Sequence, residues 1–456
     1  MMRLSEAAFA TRGQLIGSDI EFCCAGTDSR AVKKGQLFVA IKGEHFDGHE
    51  YAAQSLAQGA SAVLISRSLD VVPALQVEDT RLALGTLAAY WRTKFTIPVV
   101  AITGSNGKTT VKEMLAAILK AATGDDASVL ATQGNLNNDI GLPMTMLNLT
   151  NQHRYAVLEM GMNHTGELAY LTNLAKPNIA LVNNAGAAHI GELGSIEAIA
   201  KAKGEIFEGL SSSGIAIINA DDVFADLWKN LASNHQKMTF GLKTKADVSA
   251  TYELHTTSSD VKLMTPSGTV KFTMLAPGLH NVSNALAAAS AALAMNISLE
   301  MIGIGLSNFK GVKGRLQFKQ GFAGAKIIDD TYNANPVSMK AAVDVLKANN
   351  GQRIFVMGDM AELGPDAELM HEEIGSYAKE SGIEFFLALG TLTKNAVAVF
   401  GANARHFDTA EELVEAIKQL MSAETAVLVK GSRSMRMERV VEAIQLAQTN
   451  INGGND

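Results

Sequence analysis

Short apolar runs punctuate this chain at regular intervals. Residues 37–41, 62–65, 99–102, 155–160, 179–182, 215–218, 326–330, 354–357, 385–389 and 426–429 are too short for helices and rich in branched aliphatic residues. Runs of this kind predict strands of parallel sheets buried on both faces. Between them the apolar positions fall three and four apart, as in Val111, Met114, Leu115, Ile118 and Leu119. That spacing predicts amphipathic helices over 51–58, 79–95, 196–210, 336–348, 372–379, 410–421 and 435–447. Residues 284–294 form a further, alanine-rich helix, which close packing against a neighbour explains. Strands alternating with helices predict the α/β class with parallel sheets. Residues 247–275 depart from the pattern. They alternate polar and apolar residues around Pro266-Ser267-Gly268, predicting an antiparallel hairpin on the edge of a sheet.

At 456 residues the chain exceeds what one core organises. The pattern divides into a small α/β unit at 1–80, a central unit at 81–310 and a third α/β unit at 311–456. A net charge of −7 gives no reason to expect nucleic acid as a partner. The two cysteines, Cys23 and Cys24, are neighbours poorly placed to pair with each other, as in a reducing compartment. Glu6 interrupts the N-terminal stretch where a secretion signal needs an apolar core, and residues 285–295 are too few to span a bilayer. A cytoplasmic location without membrane insertion is expected. No heptad run or long apolar patch asks for a partner subunit, so a monomer is expected.

Residues 97–119 concentrate the chemistry. The predicted strand at 99–102 leads into Thr103-Gly104-Ser105-Asn106-Gly107-Lys108-Thr109-Thr110, and a helix follows. A glycine-containing turn ahead of a helix N-terminus lets backbone N–H groups approach phosphate oxygens. Lys108 is placed to reach terminal phosphates and the Thr109 hydroxyl to ligate a nucleotide's magnesium ion. The general P-loop pattern wants a glycine where Ile102 stands, so the motif is irregular.

Ligands of open α/β sheets sit beyond the carboxyl ends of the strands, which makes strand-end residues informative. Glu159 ends one strand. It is either a solvent-facing loop carboxylate or one of the one or two carboxylates that magnesium on phosphates takes. His189 lies a few residues past another. Lys203 sits among Lys201, Glu205 and Glu208, where a solvated charged face is the default. In the first unit Asp28-Ser29-Arg30 and residues 43–49 are polar, as turns are whatever their function. The third unit repeats the polar strand ends at residues 329–335, Gly358-Asp359 and 430–433, suggesting a second ligand-binding edge.

Together these stretches carry a resemblance. The loop at 103–109, Gly134-Asn135-Leu136-Asn137-Asn138-Asp139-Ile140-Gly141, residues 201–207, Asp329-Asp330-Thr331-Tyr332-Asn333-Ala334-Asn335, residues 357–364 and residues 429–434 are similar to those of the Mur ligases. The match runs over nearly the whole length and accounts for the irregular loop. The resemblance implies a central ATPase domain, a Rossmann-like third domain and a first domain that binds a UDP-sugar. It also implies an ATP-dependent amide ligase. The branch most similar joins D-Ala-D-Ala to UDP-N-acetylmuramoyl-tripeptide (UDP-MurNAc-tripeptide) through an acyl phosphate.

By the same resemblance Glu159 and His189 hold magnesium, and Lys203 is the position at which related ligases carry a carbamylated lysine that helps hold a second ion. Gly104 to Thr110, Asn281, Arg315 and Asp330 meet the nucleotide: Asn281 at the adenine, Arg315 at the phosphates and Asp330 at the ribose. Lys108, Glu159, His189, Lys203 and Arg315 make up the catalytic set. Asp28, Ser29, Arg30 and His45 fall at the UDP-sugar end, with Asn135, Asn137 and Asn138 also on the substrate side. Asn333, Asn335 and Ser432 are weaker candidates for the dipeptide or peptide tail. Tyr332 stands where some relatives have a lysine, so that role is not carried over. A sister ligase that adds the third amino acid is marked by Asp-Asn-Pro-Arg, absent here. Folylpolyglutamate synthases share the fold, and a nucleotide-binding switch without ligase activity is the rival of another class.

Overall fold

The computed structural model describes residues 1–187 and 190–446. Its frame is three α/β sheets in succession. The first is five-stranded, in the order Gln14–Ile16, Ala74–Gln76, Ala62–Ile65, Gln36–Val39, Cys24–Gly26. All its pairs are parallel except the first, Gln14–Ile16 with Ala74–Gln76. The second has six strands, all parallel, in the order Gln236–Phe240, Ile215–Asn219, Ile179–Val182, Val99–Thr103, Tyr155–Glu159, Val129–Ala131. The third places Gln317–Gln320, antiparallel, beside five parallel strands in the order Lys326–Asp330, Thr425–Lys430, Gln352–Gly358, Phe385–Leu389, Ala404–Phe407. The mixed α/β class with covered parallel sheets is thus as the apolar runs predict.

In the central sheet the chain steps from Val99–Thr103 to the Val129–Ala131 edge, returns through Tyr155–Glu159, and then crosses to Ile179–Val182 on the other side. The helix Lys108–Thr123 after Val99–Thr103 packs on one face with Val100 and Ile102, and Glu167–Ala175 after Tyr155–Glu159 packs on the other with Val99 and Ala101, so a crevice opens at the carboxyl ends where they part. Every residue of Val99–Thr103 and Ile179–Val182 is buried. The helix Lys108–Thr123 starts from Gly107 and buries Val111, Met114, Leu115, Ile118 and Leu119.

Three elements differ from the sequence reading. Residues 247–275 form three strands, Ser249–Leu254, Ser259–Thr265 and Gly268–Met274, in a sheet of their own. A single bridge, Phe240 to Val248, joins it to the central sheet. Its inward face, with Val261, Leu263, Phe272 and Met274, shares a core with Leu286, Ile302 and Leu306 of the following helices, which a two-stranded hairpin could not cover. The alanine-rich helix spans Leu279–Ala294, so His280 and Asn281 stand in its first turn and not in a preceding loop. Elsewhere the third unit's last helix is a short turn Arg433–Met435 followed by Glu438–Ile444.

The helix Thr80–Arg92 is capped by the Asp79 carboxylate, which accepts from the N–H of Arg81 and Leu82. Its Leu84, Leu87 and Ala88 belong to one core that runs from Phe22 and Leu37 of the first unit to Val99 and Leu158 of the central sheet. The third unit has cores of its own. Among the described residues no helix is long and apolar enough to cross a membrane.

The nucleotide-loop helix is held from behind by Leu299–Ser307. A Cβ at Gly305 would lie 2.3 Å from the Ile118 Cα. Gly305→Ala is therefore expected to lower the thermal unfolding midpoint, with a destabilisation of about 1–3 kcal/mol for overpacking against backbone. Calorimetry on both proteins checks this, and an unchanged midpoint contradicts it.

Candidate active site

The loop between Val99–Thr103 and the helix Lys108–Thr123 is fixed by its neighbours. Gly107 has φ 80°, and a Cβ there would lie 2.3 Å from Asn284 Oδ1 and 2.5 Å from Asn183 Nδ2. Two asparagines just beyond Ile179–Val182 clasp the loop. The Asn106 N–H donates to Asn184 Oδ1 at 2.8 Å, while Asn183 and Asn184 donate to the Asn106 carbonyl at 3.0 and 3.1 Å. The Ser105 hydroxyl donates to the Gly186 carbonyl and accepts from the Gly186 N–H. Asn183 also donates to Asn284, at 3.0 Å. Sequence reasoning missed Asn183, Asn184 and Asn284. The signal was a polar pair immediately past a buried apolar run.

Beyond the loop lies a cavity of about 970 Å³. The structure brings Ser105, Asn106, Gly107, Lys108, Thr110, Glu159, Asn281, Arg315 and Asp330 to its wall, with Asn135, Asn137, Asn138, Asn333, Asn335 and Ser432. Gly104, Thr109 and Lys203 lie beside or beneath it. His189 falls outside the described residues. Asp28, Ser29, Arg30 and His45 are not on this wall. The Arg30 guanidinium pairs with Asp28 at 2.9 Å, and His45 is exposed.

Charges of both signs converge here. Glu159 is 2% exposed; its Oε1 accepts from Asn137 Nδ2 at 2.8 Å, and its Oε2 has no partner among the described residues. Lys108 Nζ donates to the Gly104 carbonyl at 2.7 Å. Burial lowers the Lys108 pKa; Glu159 opposes that shift and Arg315 adds to it. Lys203 is 2% exposed, in contrast to exposed Lys201, so the solvated-face expectation does not hold for it. No ion pair or hydrogen bond of its ammonium is present among the described residues. Burial, reinforced by Lys108, drives its pKa well below the ordinary lysine value. Glu205 instead accepts from the N–H groups of Gly166 and Ala169, at the start of the helix Glu167–Ala175.

The third unit reaches the loop through two side chains. Arg315 Nη2 donates to the Thr109 hydroxyl at 3.1 Å, and its guanidinium lies 4.3 Å over the Tyr332 ring. Asn335 Nδ2 donates to Asn106 Oδ1 at 2.8 Å while its own Oδ1 caps the helix Pro336–Lys347. Asp330 pairs with buried Lys430 at 2.6 Å and accepts from the Leu316 N–H. Ser432 donates its hydroxyl and N–H to the Asp359 carbonyl. His280 is held neutral by burial, its pKa pushed down to about 4 against the pull of Asp330. On the opposite side Arg81 donates to Asp139 at 2.8 Å, tying the helix Thr80–Arg92 to the loop that carries Asn137.

The donors suit a hard cation. The buried, unpartnered Glu159 Oε2 and the Thr109 hydroxyl are oxygen ligands of the kind magnesium takes together with phosphate oxygens.

Comparison with known proteins agrees with this arrangement. The family model described as "Mur ligase middle domain" matches residues 102–292, "Mur ligase, glutamate ligase domain" matches 314–433, and "Mur ligase family, catalytic domain" matches 22–92. The chain is 45% identical to the UDP-N-acetylmuramoyl-tripeptide--D-alanyl-D-alanine ligase of Escherichia coli (strain K12), over 97% of this chain and 98% of that one. A crystal structure of MurF from Acinetobacter baumannii superposes with a TM-score of 0.90 at 40% identity, over 96% of this chain and 97% of that one. MurF ligase from Thermotoga maritima in complex with ADP superposes with a TM-score of 0.82 at 28% identity, over 92% and 96%. With all three of its units matched and its length covered by such relatives, the chain belongs to the Mur ligase family.

Proposed function

We propose that this enzyme joins D-Ala-D-Ala to UDP-MurNAc-tripeptide, consuming ATP and giving the pentapeptide, ADP and phosphate. The observation that carries the reading is the cavity in which Ser105, Asn106, Gly107, Lys108 and Thr110 of the loop, Glu159, and Arg315 and Asp330 of the third unit meet. A charged UDP-sugar does not cross a bilayer unaided, which supports a cytoplasmic reaction. A monomer suffices, since all these groups come from one chain.

An amide does not form from a carboxylate and an amine near neutral pH, because oxide is too poor a leaving group. The γ-phosphoryl group of ATP passes to the tripeptide's terminal carboxylate. The dipeptide amine then attacks the acyl carbon, the C–O bond to phosphate breaks, and the amine gives up a proton. Lys108 and Arg315 face the charge on the transferring group, and their placement before reaction saves reorganisation in the transition state. Asn281 and Asp330 orient the nucleoside. Glu159 and Thr109, joined by His189 if the family pattern holds, would hold Mg2+, which supplies charge neutralisation on the phosphates when bound. The first unit, with Asp28, Ser29, Arg30 and His45, takes the UDP-sugar. Asn135, Asn137, Asn138, Asn333, Asn335 and Ser432 line the way for the peptide and dipeptide. A cavity closed by the third unit keeps water from the acyl phosphate.

Lys203 is proposed to be carbamylated. Its burial without a carboxylate partner favours the neutral amine. That amine attacks CO2, a C–N bond forms, a proton leaves, and the product is a buried carboxylate within reach of the Lys108 charge.

Three outcomes follow. Phosphate release with ATP and Mg2+ is expected only when UDP-MurNAc-tripeptide and D-Ala-D-Ala are both present, with pentapeptide formed. Release with neither makes the protein a nucleotide switch, and release with a single amino acid in place of the dipeptide makes it a sister ligase. Glu159→Gln is expected to lower kcat by about 10²-fold or more, the order for loss of one preorganised electrostatic group; steady-state kinetics reads it. Isotopically labelled bicarbonate is expected to give a carbamate NMR signal that Lys203→Arg abolishes, and absence of the signal in the unaltered protein removes the carbamylation.

A further inference from the structure

The reaction above uses Glu159 but leaves a buried lysine behind it without a role. Lys112 stands one turn after Lys108 on the same helix and is 1% exposed. Its ammonium pairs with the Glu113 carboxylate at 2.8 Å and donates to the carbonyl of Thr132. Burying an ammonium is costly, and a well-packed apolar side chain at such a place is often as stable or more so. The geometry shows what the charge holds.

Thr132 follows the edge strand Val129–Ala131 and is itself 1% exposed. Its N–H donates to the Val157 carbonyl at 3.0 Å, continuing the ladder between the two strands. Its hydroxyl accepts the N–H of Glu159 at 2.9 Å. The segment that starts at Thr132 then returns to the same glutamate: Asn137 Nδ2 donates to Glu159 Oε1 at 2.8 Å, and the Asn137 carbonyl accepts the Gly161 N–H at 2.9 Å. Glu159 is thus gripped at its backbone by one end of residues 132–137 and at its carboxylate by the other. Its Oε2 is left as the oxygen without a partner among the described residues.

We infer that Lys112 is a positioning residue for the metal-binding carboxylate: through the Thr132 carbonyl it anchors residues 132–137, and so sets where the free oxygen of Glu159 lies. The inference rests on the reading of Glu159 as a magnesium ligand. Lys112 touches neither nucleotide nor peptide in this role. Without its ammonium the Thr132 carbonyl is a buried acceptor lacking its donor, and the strand end shifts to recover one. The metal then meets a displaced oxygen while the substrate contacts stay.

The test compares Lys112→Met, Lys112→Arg and Thr132→Val with the unaltered full-length protein. The half-saturating Mg2+ concentration is measured for ligation and, by calorimetry, for ADP binding as Mg2+ is titrated. Lys112→Met is expected to raise it about 10- to 100-fold, the range for groups that orient metal ligands, with KM for D-Ala-D-Ala unchanged. Lys112→Arg restores it in part. Thr132→Val, which keeps the shape and removes the hydroxyl acceptor, moves it in the same direction, and the double variant is less than additive because the two act in one chain. A folded Lys112→Met or Thr132→Val protein with a lowered melting temperature and an unaltered Mg2+ dependence overturns the inference. If Lys112→Met does not fold, Lys112→Gln, which shortens the side chain and removes the charge, is measured in its place and decides. Calorimetry separates the two readings: protein that binds ADP with Mg2+ but forms no amide removes the proposed reaction and leaves the Lys112 inference to stand or fall on binding.

Discussion

At Gly107 the backbone turns through φ 80° with no room for a side chain, because Asn183 and Asn284 close on the space a Cβ would take. The two asparagines come from different elements, one past the strand Ile179–Val182 and one within the helix Leu279–Ala294, and they bond each other at 3.0 Å. That contact locks the loop at 104–107 between sheet and helix. The first N–H groups of Lys108–Thr123 are then left facing the cavity with the positive end of the helix behind them. Everything else in the site is arranged around this fixed point: Arg315 and Asn335 reach it from the third unit, and Glu159 stands one strand away.

The charges explain why such a site wants a polyphosphate. Lys108 and Arg315 meet Glu159 at one end of the cavity, and burial, with Arg315 adding to it, lowers the Lys108 pKa. Asp330 does little to relieve them, since Lys430 already pairs with it. A buried excess of positive charge raises the free energy of the empty protein, and an anion that replaces the lost hydration relieves it.

Much of this was legible in the sequence. Buried parallel strands announce themselves as unbroken apolar runs, and the glycine turn with Lys108 and Thr109 follows one of them, so the loop and the strand-end carboxylate Glu159 could be found by position. Other features lie beyond such reading. Lys203 and Lys201 look alike in the chain, yet one is buried and the other exposed, because burial depends on what the neighbouring elements cover. The clasp by Asn183 and Asn284 joins residues 101 apart, and short side chains of this kind are common in loops. Helix starts were misplaced for a related reason: Leu279–Ala294 begins at Gly278, whose φ of 94° admits a sharp entry that apolar periodicity does not register.

The apolar cores are not shared equally among the three units. The first and central units share one apolar core through Thr80–Arg92, so separating them would expose Leu84 and Leu87 with Val99 and Leu158. The two cores of the third unit contain no residue before Leu316. At the nucleotide loop that unit is held by the hydrogen bonds of Arg315 and Asn335, each worth about 1 kcal/mol net because water replaces it on opening. Separating the third unit therefore breaks polar contacts, among them the bond from the Gly191 N–H to the Glu362 carbonyl at 3.3 Å, whereas separating the first would break a core. A ligase must admit two peptides and a nucleotide, then exclude water from an acyl phosphate. On the reaction proposed above, the third unit would bring Arg315 and Asp330 to the nucleotide as the cavity shuts.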